Sequence, residues 1–230
     1  MYAGVLAAVT AVNICLSFGY LEESRLSVQK GVCTKNTMTK GLLERSVLKS
    51  SAGKDVLCDT VTDGGGWIVL MRRYQGENFT RPWADYKNGF GSFDFDFWLG
   101  LDEISSLTSR GTWLLRIDMR FNRVYYFITY VGFKVDGEDK QYTLHVGTYG
   151  VGNVRDDLSN HDNMKFYTWD SPIKSSCSQS YKGGWWFNGC HLVYLTGVWK
   201  SDEACKGLHW DGLTTSKRNL ESVEMKIRLY

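Results

Sequence analysis

The strongest constraint on the fold is a pair of cysteines near the C-terminus that encloses twelve residues rich in aromatic side chains. Residues 177–191 read CSQSYKGGWWFNGCH, and Gly183 and Gly184 predict a sharp turn just before two tryptophans. If the cysteines pair, restriction of the unfolded chain stabilises the fold by about 3 kcal/mol. Aromatic walls with a few polar groups suit a small-ligand pocket. The same composition also fits an aromatic core segment that binds nothing.

Composition limits the class of protein. A chain of 230 residues suits one large domain or two small ones. Its 43% hydrophobic content is enough for a core, and its 14% aromatic content favours sheet-rich packing. The net charge of +2 gives no strong attraction to nucleic acids or acidic membranes. We therefore expect no nucleic-acid partner.

The N-terminal segment has the composition of a secretion signal. Residues 3–18 form an apolar run of the length of a signal-peptide core. Ser17 and Gly19 are small residues at the offset needed for cleavage before Tyr20. A membrane anchor is the alternative, but the run is short for a span of about 20 residues and contains Asn13.

The expected organisation is a signal peptide at residues 1–19, a short polar lead at 20–32 and one domain at 33–230. The mature protein is then extracellular and secreted, with no membrane span. Cleavage also removes Cys15, which leaves five of the six cysteines. At least one of the five has no partner within the chain.

Several segments carry strand patterns. Residues 63–66 form a glycine turn before a buried strand at 67–71, and residues 122–123 link two strand-like runs as a hairpin. Residues 40–49 fit either a helical turn or a strand. Residues 92–98 alternate phenylalanine and aspartate, which on a strand places the two types on opposite faces. The pattern indicates a mixed, sheet-dominated domain.

Seven short stretches together resemble the fibrinogen-related domain found in fibrinogen chains, ficolins, tachylectins and angiopoietins. They occur in the order of that family, at residues 58–67, 97–100, 145–147, 163–166, 177–191, 207–210 and 224–228. The resemblance implies an α+β fold with a twisted, mainly antiparallel central sheet, few short helices and a loop-rich C-terminal ligand-binding subdomain. It also implies the disulfides Cys33–Cys58 and Cys177–Cys190.

The resemblance also implies a ligand pocket in that subdomain. Its lectin members line the pocket with residues that correspond to Tyr181 and His191, and they use a cis peptide at the position of Gly189–Cys190. The aromatic residues expected to build the pocket around these two are Trp185, Trp186 and Trp210, of which the first two are expected to be partly structural.

The family's pocket is only partly kept in this sequence. Two family tyrosines are replaced by Ala204 and Ser216, and the small residue after the first is replaced by Cys205. We include these positions in the pocket and expect it to be wider and more polar, with a weaker grip on an acetyl methyl group.

Calcium binding is expected to be lost or weakened, so that the protein needs no cofactor. Family members hold Ca²⁺ with an Asp-x-Asp pair before the first cysteine of the late disulfide. The corresponding loop is shorter here, and only Asp170 remains as a carboxylate ligand. Lys174 nearby would repel a cation.

Two functions remain open from the sequence. The first is a secreted, lectin-like pattern-recognition protein that binds carbohydrate or N-acetylated ligands in innate defence. The second is a protein-binding module that engages a receptor or matrix partner without sugar or calcium. An enzyme is not expected, because the chain has neither a Gly-x-Ser-x-Gly elbow nor a His-Glu-x-x-His motif.

Two single residues carry further expectations. Cys205 is the odd cysteine, and it is either a free buried thiol or an interchain disulfide that forms a homo-oligomer. Asn78 opens the sequon Asn-Phe-Thr and is expected to be glycosylated on the surface.

Overall fold

The computed structural model describes residue 33 and residues 45–50, 52–215 and 218–230. All of them lie in one compact unit, Val32–Tyr230. The expected signal peptide at 1–19, the polar lead at 20–32 and Cys15 lie outside the described residues, so these expectations stay predictions.

The described residues form short strands and three short α-helices. The helices are α1 (Trp83–Asn88), α2 (Leu101–Thr108) and α3 (Ser176–Tyr181). No helix in this part of the chain is long and apolar enough to cross a membrane. The strands are β1 (Arg45–Lys49), β2 (Asp55–Asp59), β3 (Trp67–Arg73), β4 (Phe90–Gly91), β5 (Phe97–Trp98), β6 (Trp113–Phe121), β7 (Val124–Val131), β8 (Lys134–Val135), β9 (Leu144–His145), β10 (Thr148–Gly152), β11 (Val193–Tyr194), β12 (His209–Trp210) and β13 (Ser222–Leu229).

A nine-stranded antiparallel sheet forms the centre of the domain. Its main strand order is β1-β2-β3-β13-β6-β7-β10, and β5 pairs with both β3 and β4. The C-terminal strand β13 therefore lies between β3 and β6 and closes the sheet in its middle. The pairs β8-β9 and β11-β12 form two small separate ladders. This architecture confirms the predicted fold class.

Alternation along β6 separates the core from the outer face of the sheet. Side chains on one face are buried, and those on the other are partly exposed and mostly charged. Helix α2 adds Leu101, Ile104 and Leu107 to the same core. The inward residues of β6 are Trp113, Leu115, Ile117, Met119 and Phe121.

The hairpin and the glycine turn form as predicted. Asn122 and Arg123 link β6 to β7 with φ values of 50° and 64°, the left-handed conformation that matches the twist of a two-residue hairpin. Residues 64–66 also have positive φ, which glycine adopts without steric cost, and β3 starts directly after them. The ambiguous residues 40–49 end in strand β1.

The segment at residues 92–98 is not one strand, contrary to the alternation in the sequence. Only Phe97–Trp98 pair as β5, and Phe95 is exposed. Asp96 is fully buried, and its carboxylate accepts the four backbone N–H groups of residues 74–77 at 2.7–3.1 Å. It also lies 3.6 Å from Arg73 Nε. The capping of this loop by Asp96 takes the segment out of strand geometry.

The first predicted disulfide is present. Cys33 and Cys58 are bonded, with 5.6 Å between their Cα atoms. Cys58 lies in β2 and is fully buried, so the bond fastens the start of the domain to the central sheet.

Candidate functional site: a pocket in the C-terminal loops

The second predicted disulfide organises the loops that precede β13. Cys177 lies in the first turn of α3 and bonds to Cys190, with 5.1 Å between the Cα atoms. The bond holds α3 against the loop that leads into β11. The twelve residues between the two cysteines therefore form a closed loop, as the sequence predicts.

The three tryptophans expected in the pocket belong to the core instead. Trp185, Trp186 and Trp210 have relative exposures of 0%, 1% and 0%. Trp186 donates from Nε1 to the carbonyl of Tyr142 at 2.8 Å, and Trp210 donates to the carbonyl of Arg155 at 3.0 Å. Their apolar area is removed from water by packing beneath the loops, so the prediction that they line the pocket is wrong.

Gly183 and Gly184 are needed for space rather than for a turn. Neither has a positive φ. A Cβ atom on Gly183 would lie 2.3 Å from the hydroxyl of Tyr194, and one on Gly184 would lie 2.7 Å from the rings of Phe166 and Tyr86. The close approach of this backbone to aromatic rings is what places Trp185 and Trp186 in the core.

A pocket of about 350 Å³ opens beside the disulfide, and we call it the C-terminal pocket. Two of the expected residues, Tyr181 and His191, meet there, and Cys205 also lines it. Among the described residues, the lining is Tyr181, Gly189, Cys190, His191, Cys205, His209, Asp211, Thr214 and Thr215. One aromatic ring and several polar groups therefore converge on one cavity.

His191 is held in place from several sides. Its ring stacks on Tyr194 at 5.0 Å between centroids and meets the edge of Tyr181 at 4.7 Å. Because a carbonyl only accepts, His191 Nε2 donates to the carbonyl of Cys205 at 3.1 Å. Its Nδ1 is buried without a hydrogen-bond partner in the described residues. The ring is thus one fixed neutral tautomer.

His161 supports the same wall from below. Its side chain is fully buried, and Nδ1 donates to the carbonyl of Trp186 at 2.6 Å. Nε2 then accepts the N–H groups of Leu192 and Val193 at 3.3 and 3.0 Å. These two bonds fix the backbone immediately after His191.

The histidines around the pocket are neutral at pH 7. Burial lowers the pKa of His161 to about 4. Burial, with the nearby His209 and His161, lowers the pKa of His191 to about 4. Burial also lowers the pKa of His209, against the opposing effect of Asp211. A charged imidazolium at these positions would lose hydration, and for His209 the carboxylate of Asp211, 3.7 Å from Nε2, offsets only part of that loss.

Four pocket residues were missed by the sequence reasoning: His209, Asp211, Thr214 and Thr215. His209 could have been found, because strand alternation sends it to the face opposite the buried Trp210. Thr214 bonds to His209 Nδ1 at 2.7 Å and donates to the carbonyl of Trp210 at 3.0 Å. Asp211 pairs with Arg155 at 2.5 Å. These loop contacts have no periodic signal in the sequence.

The substituted family positions do not all reach the pocket. Cys205 lines it as a free, partly buried thiol with φ of 59°. Ala204 is exposed and does not line it, so that prediction is wrong. The short loop turns Ala204 towards solvent just before Cys205 enters the wall. Ser216 lies outside the described residues.

The bond before the second cysteine also differs from the expectation. Every peptide bond in the described residues is trans, including Gly189–Cys190. Gly189 and Cys190 instead have φ values of 53° and 54°, and Asn188 N–H donates to the carbonyl of Cys190 at 2.9 Å. Two successive left-handed residues turn the chain here.

Asp170 has a structural partner. Its Oδ1 accepts the N–H of Trp83, in the first turn of α1, at 2.8 Å and the hydroxyl of Thr168 at 2.7 Å. A carboxylate at a helix N-terminus satisfies a donor that has no partner within the helix. In the described part of the chain, no group of three or more His, Cys, Asp or Glu residues could hold a metal ion.

Asn78 is exposed, as a glycosylation site requires. Its side-chain Oδ1 accepts the N–H of Thr80 at 2.8 Å, which forms a local turn. The occupancy of the sequon stays a prediction.

The sequence and structure match known proteins along most of the chain. The family described as fibrinogen beta and gamma chains, C-terminal globular domain, matches residues 30–230. Human tenascin-R is 41% identical over 179 residues, which cover 76% of this chain and 13% of tenascin-R. Techylectin-5A from Tachypleus tridentatus is 38% identical over 186 residues, which cover 76% of this chain and 63% of techylectin-5A. The chain therefore spans less than two thirds of either relative.

Among solved structures, the fibrinogen-like globe domain of human ANGPTL6 superposes with a TM-score of 0.78 at 31% identity. The match covers 85% of this chain and 94% of that domain. The relatives and this structure agree with the resemblance seen in the seven sequence stretches.

Proposed function

We propose that this chain, which belongs to the fibrinogen C-terminal domain family, is an extracellular recognition protein that binds a carbohydrate or N-acetylated ligand in innate defence. The observation that carries the proposal is the convergence of Tyr181, His191 and Thr215 on the C-terminal pocket. Techylectin-5A, a relative whose name marks it as a lectin, supports this choice of ligand. Recognition by a fixed pocket requires no chemical step.

The lining determines what kind of ligand the pocket accepts. The ring of Tyr181 offers an apolar surface for a methyl group or a sugar face. Thr215 and Asp211 are exposed at the rim, where they can bond to ligand hydroxyls or amides. Because the pocket has one aromatic wall and many polar groups, it suits a polar sugar better than a purely apolar compound.

We propose that binding needs no calcium. The support is the position of Asp170. Its Oδ1 already accepts one hydrogen bond from the N–H of Trp83 in α1 and one from the hydroxyl of Thr168. Turning this carboxylate towards a cation would leave Trp83 N–H without its acceptor. Calcium sites also need several oxygen ligands, and one carboxylate supplies too few.

We also propose that the site is non-catalytic. His191 lines the pocket together with Cys205, but its Nε2–H donates to the carbonyl of Cys205. A proton donor in that position cannot take a proton from the sulfur as a general base. His191 is therefore arranged to shape the wall.

The test is retention of the secreted protein on N-acetylglucosamine-coupled and acetylated resins, with and without a calcium chelator. We expect retention that free N-acetylglucosamine competes and that the chelator leaves unchanged. Thr215→Trp fills the pocket from its exposed rim and should abolish retention. Thr148→Trp, an equal change at an exposed position of β10, should not. Absence of retention on both resins contradicts the acetyl ligand, and loss with chelator contradicts calcium independence.

A protein partner is the second candidate. It is favoured by the identity with tenascin-R and by the polar lining, which gives an acetyl methyl group little apolar surface. A receptor or matrix protein needs neither calcium nor an acetyl slot. A competition experiment distinguishes the two candidates, because free N-acetyl compounds should displace a sugar ligand but should not displace a protein partner.

A further inference from the structure

A second cavity of about 610 Å³ lies on the outer face of the central sheet. We call it the outer trough. Its lining includes Arg45, Arg72, Tyr74, Arg120, Tyr125 and Glu224. Within the part of the chain that the structure describes, it shares no lining residue with the C-terminal pocket, so it is a separate feature.

The register of the sheet builds the outer trough. Arg72 of β3, Glu224 of β13 and Asp118 of β6 lie side by side on three neighbouring strands. Arg120 lies two residues beyond Asp118 in β6 and pairs with Tyr125 of the neighbouring strand β7. Arg72 and Arg120 are therefore about 10 Å apart across the strands and about 7 Å apart along them. A short oligosaccharide spans this separation.

The floor of the outer trough is a cluster of ion pairs. Lys226 is almost fully buried, and its Nζ lies 2.7 Å from Asp59, 2.7 Å from Asp118 and 3.0 Å from Glu224. Arg45 also contacts Glu224, at 3.1 Å. The carboxylates of the floor are thus engaged by cations and repel an incoming anion only weakly.

The rim holds guanidinium groups with weak or no acidic partners. Arg72 donates to the backbone carbonyls of Phe93 and Phe95 and pairs with no carboxylate among the described residues. Burial lowers the pKa of Arg72, but arginine stays charged at pH 7. Arg120 Nε lies 3.1 Å from Glu221 without hydrogen-bond geometry, and both side chains are about two-fifths exposed. Such exposed pairs are weak.

Each of these arginines lies beside a tyrosine that faces solvent. The guanidinium carbon of Arg72 is 5.3 Å from the ring centre of Tyr74, and that of Arg120 is 5.4 Å from the ring centre of Tyr125. Tyr125 is 71% exposed, an uncommon state for a large aromatic side chain on a sheet face. Two arginine–tyrosine pairs thus stand at the rim of a polar trough that also contains the hydroxyls of Thr62 and Ser222.

We propose that the outer trough binds an acidic saccharide, with sugar rings against the tyrosines and carboxylates on Arg72 and Arg120. A guanidinium group can meet a carboxylate with two parallel hydrogen bonds, and flat aromatic rings suit the apolar faces of sugars. At Arg72, Nε and Nη2 already donate to the carbonyls of Phe93 and Phe95, so Arg72 contributes its Nη1 and its charge. An acidic peptide fits less well, because β3, β13 and β6 are paired on both sides and offer no free strand edge for backbone pairing.

The test is calorimetric titration of the secreted protein with tetragalacturonate, which carries four carboxylates and no N-acetyl group. Maltotetraose, a neutral tetrasaccharide, controls for the charge of the ligand, and tetraglutamate, a peptide with four side-chain carboxylates, controls for its sugar rings. We expect saturable binding of tetragalacturonate alone. Arg120→Gln should weaken it about tenfold, as loss of one charged hydrogen-bonded contact does. Tyr125→Ala should weaken it severalfold, while Arg110→Gln, an exposed arginine outside the trough, should leave it within about twofold.

Three results would overturn the proposal. They are no binding of tetragalacturonate, equal binding of tetraglutamate, or equal weakening by Arg120→Gln and Arg110→Gln. The pocket-filling Thr215→Trp variant should bind tetragalacturonate normally. Failure of the acetyl-binding proposal is therefore distinguishable from failure of this one.

Discussion

Most side chains of the outer trough come from strands that also build the core, whereas those of the C-terminal pocket come from loops, the end of α3 and the short β11-β12 ladder. In the trough, sheet register sets which charged groups meet. In the pocket, the Cys177–Cys190 bond and three buried tryptophans hold loops that have almost no regular structure. One fold thus provides a cavity that depends on strand pairing and another that depends on packing beneath loops.

The largest expected effect comes from the tryptophans beneath the pocket. Trp186→Ala should lower the free energy of unfolding by about 3–5 kcal/mol, because it empties a fully buried indole site. Chemical denaturation measures the change. Trp169→Ala, at a 41% exposed tryptophan in the same region, should change it by less than about 0.5 kcal/mol. Equal effects would contradict the assignment of Trp186 to the core.

These tryptophans also mark the limit of what the sequence could predict. The hairpin at residues 122–123, the glycine turn before β3, the fold class and both disulfides were all predictable, because each has a local or family pattern. The pocket was predictable only at Tyr181, His191 and Cys205. Burial of Trp185, Trp186 and Trp210 depends on contacts with residues far away in the sequence. One example is the hydrogen bond from the indole N–H of Trp186 to the carbonyl of Tyr142. Capping by Asp96 overrode an alternation that fits a strand.

The charged floor of the outer trough should be nearly as sensitive. Burial opposes its charge, but Glu224, Asp118 and Asp59 hold the pKa of Lys226 above its usual value. Lys226→Ala should cost about 3 kcal/mol, because three carboxylates lose their shared cation. Lys49→Ala in β1, which removes an exposed ion pair with Asp55 of β2, should cost less than about 1 kcal/mol. A similar loss in both variants, measured by denaturation, would show that the floor is not a coupled cluster.

The loops should be more acid-sensitive than the sheet because of His161. Its pKa is lower in the folded state than in the unfolded chain, so its stabilising effect is complete above about pH 6.5 and is lost as pH falls towards about 4. By pH 5.5 this loss should reach about 1 kcal/mol.

Denaturation of the wild type and His161→Gln between pH 7 and 5.5 checks this expectation. The variant should be less stable at pH 7 but should show a shallower fall with pH. If the stability of His161→Gln fell with pH as steeply as that of the wild type, His161 would not be the cause of the acid sensitivity.

Cys205 should have the smallest effect on folding. As a partly buried thiol without a partner in the described residues, it should tolerate Cys205→Ser with a change below about 1 kcal/mol. Gels run with and without reductant also test whether it joins two chains. A dimer that disappears with reductant and in Cys205→Ser would establish a covalent homo-oligomer beside the pocket. A monomer on both gels would identify a free thiol.

Sugar binding at the C-terminal pocket is tested most directly by an NMR titration of the isotope-labelled protein with N-acetylglucosamine, followed through backbone amides and histidine side chains. We predict saturable shifts at Cys190, His191 and Thr215, the same shifts with and without calcium, and no shifts at Arg72 or Tyr125. Unchanged signals at Cys190 and His191 up to high ligand concentration, or shifts confined to the outer trough, would contradict the assignment of the C-terminal pocket as the binding site for this sugar.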